Sequence, residues 1–383
     1  MINSLVTFIR DTYKTNEVIG LHEPSFNGNE LSYVTEAIKS TYVSSVGKFV
    51  DEFEKGIERY TASPGAVSTV NGTAALHASM YVAGVKSGEA VITQALTFVA
   101  TCNAIYHMGA QPIFVDVSKS TMGLCPKALE SFLEENAVLE VDGSFLKSSK
   151  KRIRAVIPMH TYGHPVELDE IVVICKKWKL VLIEDAAESL GSFYKGRHTG
   201  TIGDFGAISF NGNKVITTGG GGMVLCGSED SKKTVKHVTT TAKVAHPYEF
   251  FHDCAGFNYR MPNLNAALGV GQLESLNGYL LKKRDLAMHY KAFFKDSDYS
   301  FFDEPINTQS NFWLNTIVCP DLDMRNELLD KSNAAGIMMR PVWTPMHKLP
   351  IFQDSPKGNL TNTDWFESRV VNIPSSPIEF SNA

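Results

Sequence analysis

The 383 residues, 43% apolar and 20% charged, suffice for one large buried core and a smaller one, and they exclude a disordered or fibrous chain. A net charge of −5 argues against nucleic acid as a partner, because backbone phosphates need a local excess of Lys and Arg. An anionic small molecule stays compatible, since a few well-placed donors outweigh a modest global charge.

The opening MINSLVTFIRDTYK has too short an apolar stretch and too early a charge for a signal peptide, and no run approaches the roughly 18 apolar residues of a membrane span. Asn71–Ala75 (NGTAA) is a small-residue turn opening a helix through Met80, and the first N–H groups of such a helix bind phosphate. Ala90–Thr93 and Gln111–Val117 read as buried strands with Val99–Met108 as a helix between them. Lys147–Arg154 is a solvated loop without assigned function. Arg154–Met159 and Leu180–Glu184 are two further strands, separated by the amphipathic Leu168–Trp178. Strand, helix, strand order implies right-handed crossovers and a mostly parallel sheet, hence an α/β fold. Ala207–Phe210 and Met223–Cys226 form a strand pair around the turn Gly219–Gly222. After Pro262 the pattern changes to an amphipathic helix Asn263–Ser275, a Lys/Arg-bearing helix through Lys291, a strand-like Trp313–Val318 and a helix Met324–Ala335. Residues 1–262 therefore read as a large α/β domain with an N-terminal segment, and 263–383 as a small α+β domain. The six cysteines show no CxxC or metal-ligand spacing, so they read as reduced core thiols in a cytoplasmic protein with no metal and no membrane partner.

Three features carry chemistry. Val181–Asp185 (VLIED) is an apolar strand ending in two carboxylates, at the sheet edge where open α/β sheets bind ligands, or else a pair of helix-start carboxylates. In Ser209–Lys214 (SFNGNK) a polar turn holds one lysine between a strand and the glycine run TTGGGG, a confined position where the amine acts as a nucleophile. The NGT turn is the third. A phosphorylated pyridine cofactor needs these parts together: a carboxylate for the ring nitrogen, a lysine for the imine, a helix start for the phosphate and an aromatic for the ring face, for which Phe98 in LTFVAT is the candidate.

From Leu21 to Ser376 the chain resembles the DegT/DnrJ/StrS family of sugar aminotransferases, which are fold-type I pyridoxal-phosphate enzymes. The stretches that carry the resemblance include YVSSVGKFVDEFE, VNGTAALH, TFVAT, LIEDAAESLGS, GTIGDFGAISFNGNK, TTGGGGMV, NYRMPNLNAALGVGQLE and RPVWTPMH, in that order. The resemblance implies that Lys214 is the Schiff-base lysine and acid/base, and that Asp185 pairs with the pyridine nitrogen. It places Glu188 beside the ring hydroxyl, where many relatives carry Gln. It also implies that Gly72, Thr73 and Ser209 bind phosphate, that Phe98 stacks on the ring, and that Asn258 reaches the phosphate in the neighbouring subunit of a homodimer with shared sites. Ser44 and Ser45 match a loop near the sugar. Arg260, Arg340 and His347 either meet a pyrophosphate or sugar hydroxyls or form surface pairs, and His160 either lines the site or is a satisfied core histidine.

Within the family, glutamate is the usual donor and a keto sugar on a nucleotide the acceptor. LHEPSFNGNE, YVSSVGKFV and TQALTFVATCNAI are most similar to the legionaminic acid and bacillosamine branch, which implies UDP-4-keto-6-deoxy-N-acetylglucosamine as substrate. The alternative is GDP-4-keto-6-deoxymannose, the perosamine synthase substrate. The family's dehydratases replace the lysine with His, so Lys at 214 argues against that branch. Relatives continue past NIPSSP with a final helix packed on the small domain, whereas this sequence stops at Ala383. Either that helix is dispensable or this chain is shortened.

Overall fold

In the computed structural model, which describes residues 1–379, the apolar segments between residues 65 and 226 join in one sheet. Its main path runs Gly65–Thr69, Gly222–Cys226, Phe205–Ser209, Val181–Asp185, Arg152–Ile157, Ala90–Gln94, Gln111–Val115. All neighbours on this path are parallel except Gly222–Cys226, which is antiparallel to both of its partners. The hairpin Ala137–Glu140 and Gly143–Leu146 is attached to Arg152–Ile157. The strands read as continuous apolar runs rather than alternating ones because both faces are covered: Ala90–Gln94 and Gly222–Cys226 are buried at every residue. The α/β expectation is met, and the pair around Gly219–Gly222 is present, with Ser209 opposite Gly222 and Phe205 opposite Cys226.

A second sheet orders Ser300–Phe301, Asn315–Val318, Val370–Ile373 and Arg340–Pro341, all antiparallel. The two helices expected after residue 262 are one, Asn263–Phe293, of 31 residues. Gly278 costs about 1 kcal/mol there relative to alanine. It does not break the helix because Leu276, Tyr279 and Lys283 are buried on either side of it. The N-terminal helix Ile2–Tyr13 inserts Leu5 and Ile9 into the same apolar cluster as Leu286, Tyr290, Ile317 and Leu328.

The C-terminal part also reaches back over the first sheet. Phe114 N–H donates to Pro356 O and Gly358 N–H to Phe114 O, each at 2.9 Å, which covers the edge strand Gln111–Val115. The Asp116 carboxylate accepts from the backbone N–H of Asn362 at 2.9 Å and from that of Thr363 at 2.8 Å, anchoring the helix Thr361–Glu367.

Cys102, Cys175, Cys226 and Cys319 are buried thiols; Cys125 is half-buried and Cys254 exposed, so these two do not belong to the core. Among the described residues no helix is long and apolar enough to cross a membrane. Residues 380–383 lie outside the described residues.

Candidate active site

Consecutive strand residues point to opposite faces, and this splits the carboxylate pair at the end of Val181–Asp185. Glu184 points to the face opposite Asp185. It is buried and accepts backbone N–H groups of Gly200, Ile202 and Gly203 at 2.7 Å each, while His160 Nε2 lies 3.0 Å away. Burial opposes its charge, but His160 and these amides hold its pKa below the ordinary carboxylate value. Glu184 is thus a clamp on the turn after Thr199.

Asp185 faces a cavity of about 250 Å³. It is 3% exposed; its Oδ2 accepts from Thr101 Oγ1 at 2.7 Å and its Oδ1 from Ala187 N–H at 3.2 Å. Burial raises its pKa, with the Thr101 hydroxyl and the Ala187 amide opposing the rise. Glu188 lies one turn further along, also buried. Burial pushes it up to about 7, although Lys214 Nζ lies 3.5 Å from its Oε1 and Tyr162 N–H donates to its Oε2 at 2.9 Å. Tyr162 makes that bond from a left-handed backbone, φ 55°, which is rare for a bulky residue.

Lys214 projects from the excursion 211–218, which is closed where Thr218 N–H donates to Phe210 O at 3.0 Å. Its Nζ lies 3.8 Å from the centroid of the Trp313 ring. Opposite, the helix Gly72–Val82 begins at the cavity wall, with Asn71 as its cap, whose Oδ1 accepts from Ala74 N–H at 2.7 Å. Glycine is required nearby: a Cβ on Gly222 would collide with Asn71 O and Gly72 N.

The cavity therefore brings together Gly72, Thr73, Phe98, Asp185, Glu188, Ser209 and Lys214 from four separate stretches of the chain. The other candidates lie elsewhere. Asn258 is exposed, outside the cavity of its own chain, and its Oδ1 accepts from Arg260 Nε at 3.2 Å and Nη2 at 3.1 Å. Ser44 and Ser45 sit in a loop clamped to the long helix, where Asn263 Nδ2 donates to Tyr42 O at 2.6 Å. His160 does not line the cavity: it is fully buried, Val166 N–H donates to its Nδ1 at 3.2 Å, and its other nitrogen faces Glu184. It is a satisfied core histidine. Arg340 also lies away from it, turning its Nη1 back on Asn333 Oδ1 and Met339 O, both at 2.9 Å. His347, on the short turn Met346–Lys348, is outside the lining too, and burial lowers its pKa.

The lining also includes side chains that the sequence did not single out, among them Thr101, Trp313 and Trp343. Thr101 and Trp343 lie inside TFVAT and RPVWTPMH, so a signal existed; Trp313 in NFWLN reads as an ordinary core tryptophan.

Over residues 24–379 the chain matches the profile of the DegT/DnrJ/EryC1/StrS aminotransferase family. It is similar to GDP-perosamine synthases of Escherichia coli O157:H7 (33% identity, 94% of this chain and 93% of that one) and Vibrio cholerae (33%, 94% of each). Its fold resembles that of a Streptococcus pneumoniae chain solved in its PLP form, with a TM-score of 0.83 at 23% identity over 95% of each chain. The PMP form of that chain gives 0.84 over 94% of this chain and 92% of that one. The residues present here fit pyridoxal phosphate. A buried carboxylate, an amine and a helix N-terminus, whose first amides lack intrahelical partners, converge on one cavity walled by aromatic rings. The chain thus belongs to the DegT/DnrJ/EryC1/StrS aminotransferase family and is a pyridoxal-phosphate-dependent sugar aminotransferase.

Proposed function

We propose that this chain transfers an amino group from glutamate to C4 of a nucleotide-linked 4-keto-6-deoxyhexose, with GDP-4-keto-6-deoxymannose as the acceptor that the relatives named GDP-perosamine synthase favour. The observation that carries the reading is the convergence of the Lys214 amine, the Asp185 carboxylate and the Gly72 helix start on one cavity. The UDP-linked 4-keto-6-deoxy-N-acetylglucosamine remains a second reading, favoured by the LHEPSFNGNE and TQALTFVATCNAI stretches.

Pyridoxal phosphate, when bound, supplies an aldehyde for an amine and a ring that takes up an electron pair. Lys214 is the amine and then the group that moves a proton. Asp185 holds the ring nitrogen charged, and Thr101 keeps that carboxylate oriented. Gly72, Thr73 and Ser209 take the phosphate, and Phe98 covers the ring. Glu188 sits beside Lys214, where a carboxyl that titrates near neutrality passes or receives a proton at its Oε1. Ser44, Ser45, Arg260, Arg340 and His347 do not line the cavity of their own chain. Asn258 contributes to the partner's site in a homodimer. The sheets also suggest two domains divided near residue 262, with the helix Ile2–Tyr13 attached to the second.

A product assay with GDP- and UDP-linked 4-keto-6-deoxy sugars in parallel tests the assignment. Amination of the GDP sugar at the higher kcat/KM is expected; preference for the UDP sugar reverses the order of the two readings, and conversion of neither sinks both.

A further inference from the structure

The Lys214 amine has two close neighbours that come from distant parts of the chain: Glu188 Oε1 at 3.5 Å and the face of Trp313, with its ring centroid at 3.8 Å. Trp313 also reaches Lys214 by a second route. Its indole Nε1–H donates to Asn213 O at 2.6 Å, the carbonyl immediately before the lysine. One side chain therefore touches the amine and pins the backbone that carries it.

Trp313 is in turn held at both ends of its own backbone. Its N–H donates to Asn311 Oδ1 at 2.8 Å, and its carbonyl accepts from Lys283 Nζ at 3.1 Å. Asn311 is buried, and its Nδ2 donates to Glu188 O and Leu190 O at 2.9 Å each. It thereby ties together the two residues that flank the amine. Lys283 is fully buried, donates also to Ser375 O at 2.6 Å, and has its pKa driven well below the ordinary value by burial. A tryptophan that merely fills a core is held by packing; this one is fixed by a buried amide and a buried lysine, with its ring face presented to a cationic group.

We propose that Trp313 is a catalytic-site residue: its ring face stabilises the ammonium form of Lys214, and its indole N–H sets the direction in which that side chain leaves the backbone. The inference rests on Lys214 being the reacting amine. The ammonium is attracted by the negative face of the ring quadrupole, an attraction strongest for Trp, and the neutral amine loses it. Trp313 thereby favours Lys214 as a proton donor whenever the amine is free. The other titratable groups that face the amine are Glu188, Asp185 and His22.

The test reads the amine in cofactor-free protein. Labelling of Lys214 by an acylating reagent is followed by peptide mass spectrometry at ~pH 8 and on the high-pH plateau, where lysine amines are neutral. The plateau reports access alone, so the ratio of the two rates isolates the charge effect. Trp313→Leu is expected to raise this ratio about three- to fivefold, and Trp313→Phe, which keeps a weaker ring face, to raise it less. An unchanged or lower ratio in Trp313→Leu with native circular dichroism would overturn the proposal. Should that variant not fold, Trp313→Phe decides: a ratio above that of the unaltered protein supports the proposal, and an equal or lower one overturns it. Because labelling is independent of turnover, failure of sugar amination would sink the functional reading without touching this result, and the reverse also holds.

Discussion

Glu188 is the residue whose environment departs furthest from what its type suggests. Burial lifts it from an ordinary value of 4.5 to about 7, even with an amine 3.5 Å away. A carboxyl raised in the folded state binds its proton more tightly there than in the unfolded chain. Its contribution to stability is therefore complete below the ordinary value and is lost as pH rises from 4.5 to about 7. Glu188→Gln removes this dependence. In cofactor-free protein, thermal unfolding across that window should show the variant gaining on the unaltered chain by roughly 3 kcal/mol. The pH profile of kcat/KM should lose a limb near neutrality in the same variant. A limb that persists would assign it to another group. Thr101 offers a second test. Its hydroxyl is a donor to a buried carboxylate, and a hydrogen bond to a charged group contributes about 1.5–3 kcal/mol. Thr101→Val should lose that much in urea unfolding and weaken cofactor binding together, whereas Lys214→Ala should leave stability near native and lower turnover by more than about a thousandfold.

At the scale of elements, the short turn Thr161–Gly163 after the strand Arg152–Ile157 does more than connect. Tyr162 adopts a positive φ so that its N–H meets Glu188, and Gly163, at φ 97°, passes so close to Asn311 that a Cβ would overlap its Oδ1. Gly163→Ala therefore meets both a forbidden backbone and a collision with the amide that ties Glu188 to Trp313, and a loss of more than about 2 kcal/mol is expected. Gly196 is the control. It too has a positive φ, 79°, but nothing lies within 4 Å of an added Cβ. Gly196→Ala should lose only the backbone component, roughly 1 kcal/mol. Equal losses in the two, measured by denaturant unfolding, would remove the packing argument for the turn. The strands surrounding this turn were legible in the sequence because apolar runs bounded by turn residues have few alternatives. The strained turn was not, since HTYG offers no local reason for a tyrosine to leave the ordinary backbone regions.

For the whole molecule, a site shared between two subunits is the proposed arrangement. Asn258 is exposed, and Tyr248, Phe250 and Phe251 nearby in the sequence are exposed as well, at 79%, 81% and 61%. Sedimentation is expected to give a dimer. A mixed dimer of Lys214→Ala and Asn258→Ala chains should contain one site with both native groups and so regain activity that neither homodimer has. If Asn258 acted within its own chain, no site of the mixed dimer would be intact and mixing would restore nothing.

The sequence by itself determined the α/β sheet, the end of Val181–Asp185 as the ligand edge and Lys214 as the lysine held in a turn. Each of these depends on a short window: hydrophobic period, turn chemistry and a helix cap act over a few residues. Tertiary structure alone decided that Glu184 clamps a turn while Asp185 faces the cavity, that His160 is spent on the core, and that Arg340 turns back on its own segment. It alone brought Thr101 to Asp185 and Trp313 to Lys214, across separations of 84 and 99 positions. The first contact is set by how the helix Val99–His107 packs on its own sheet, the second by how the C-terminal part packs against that sheet, and no local pattern encodes which side chain a given lysine will meet.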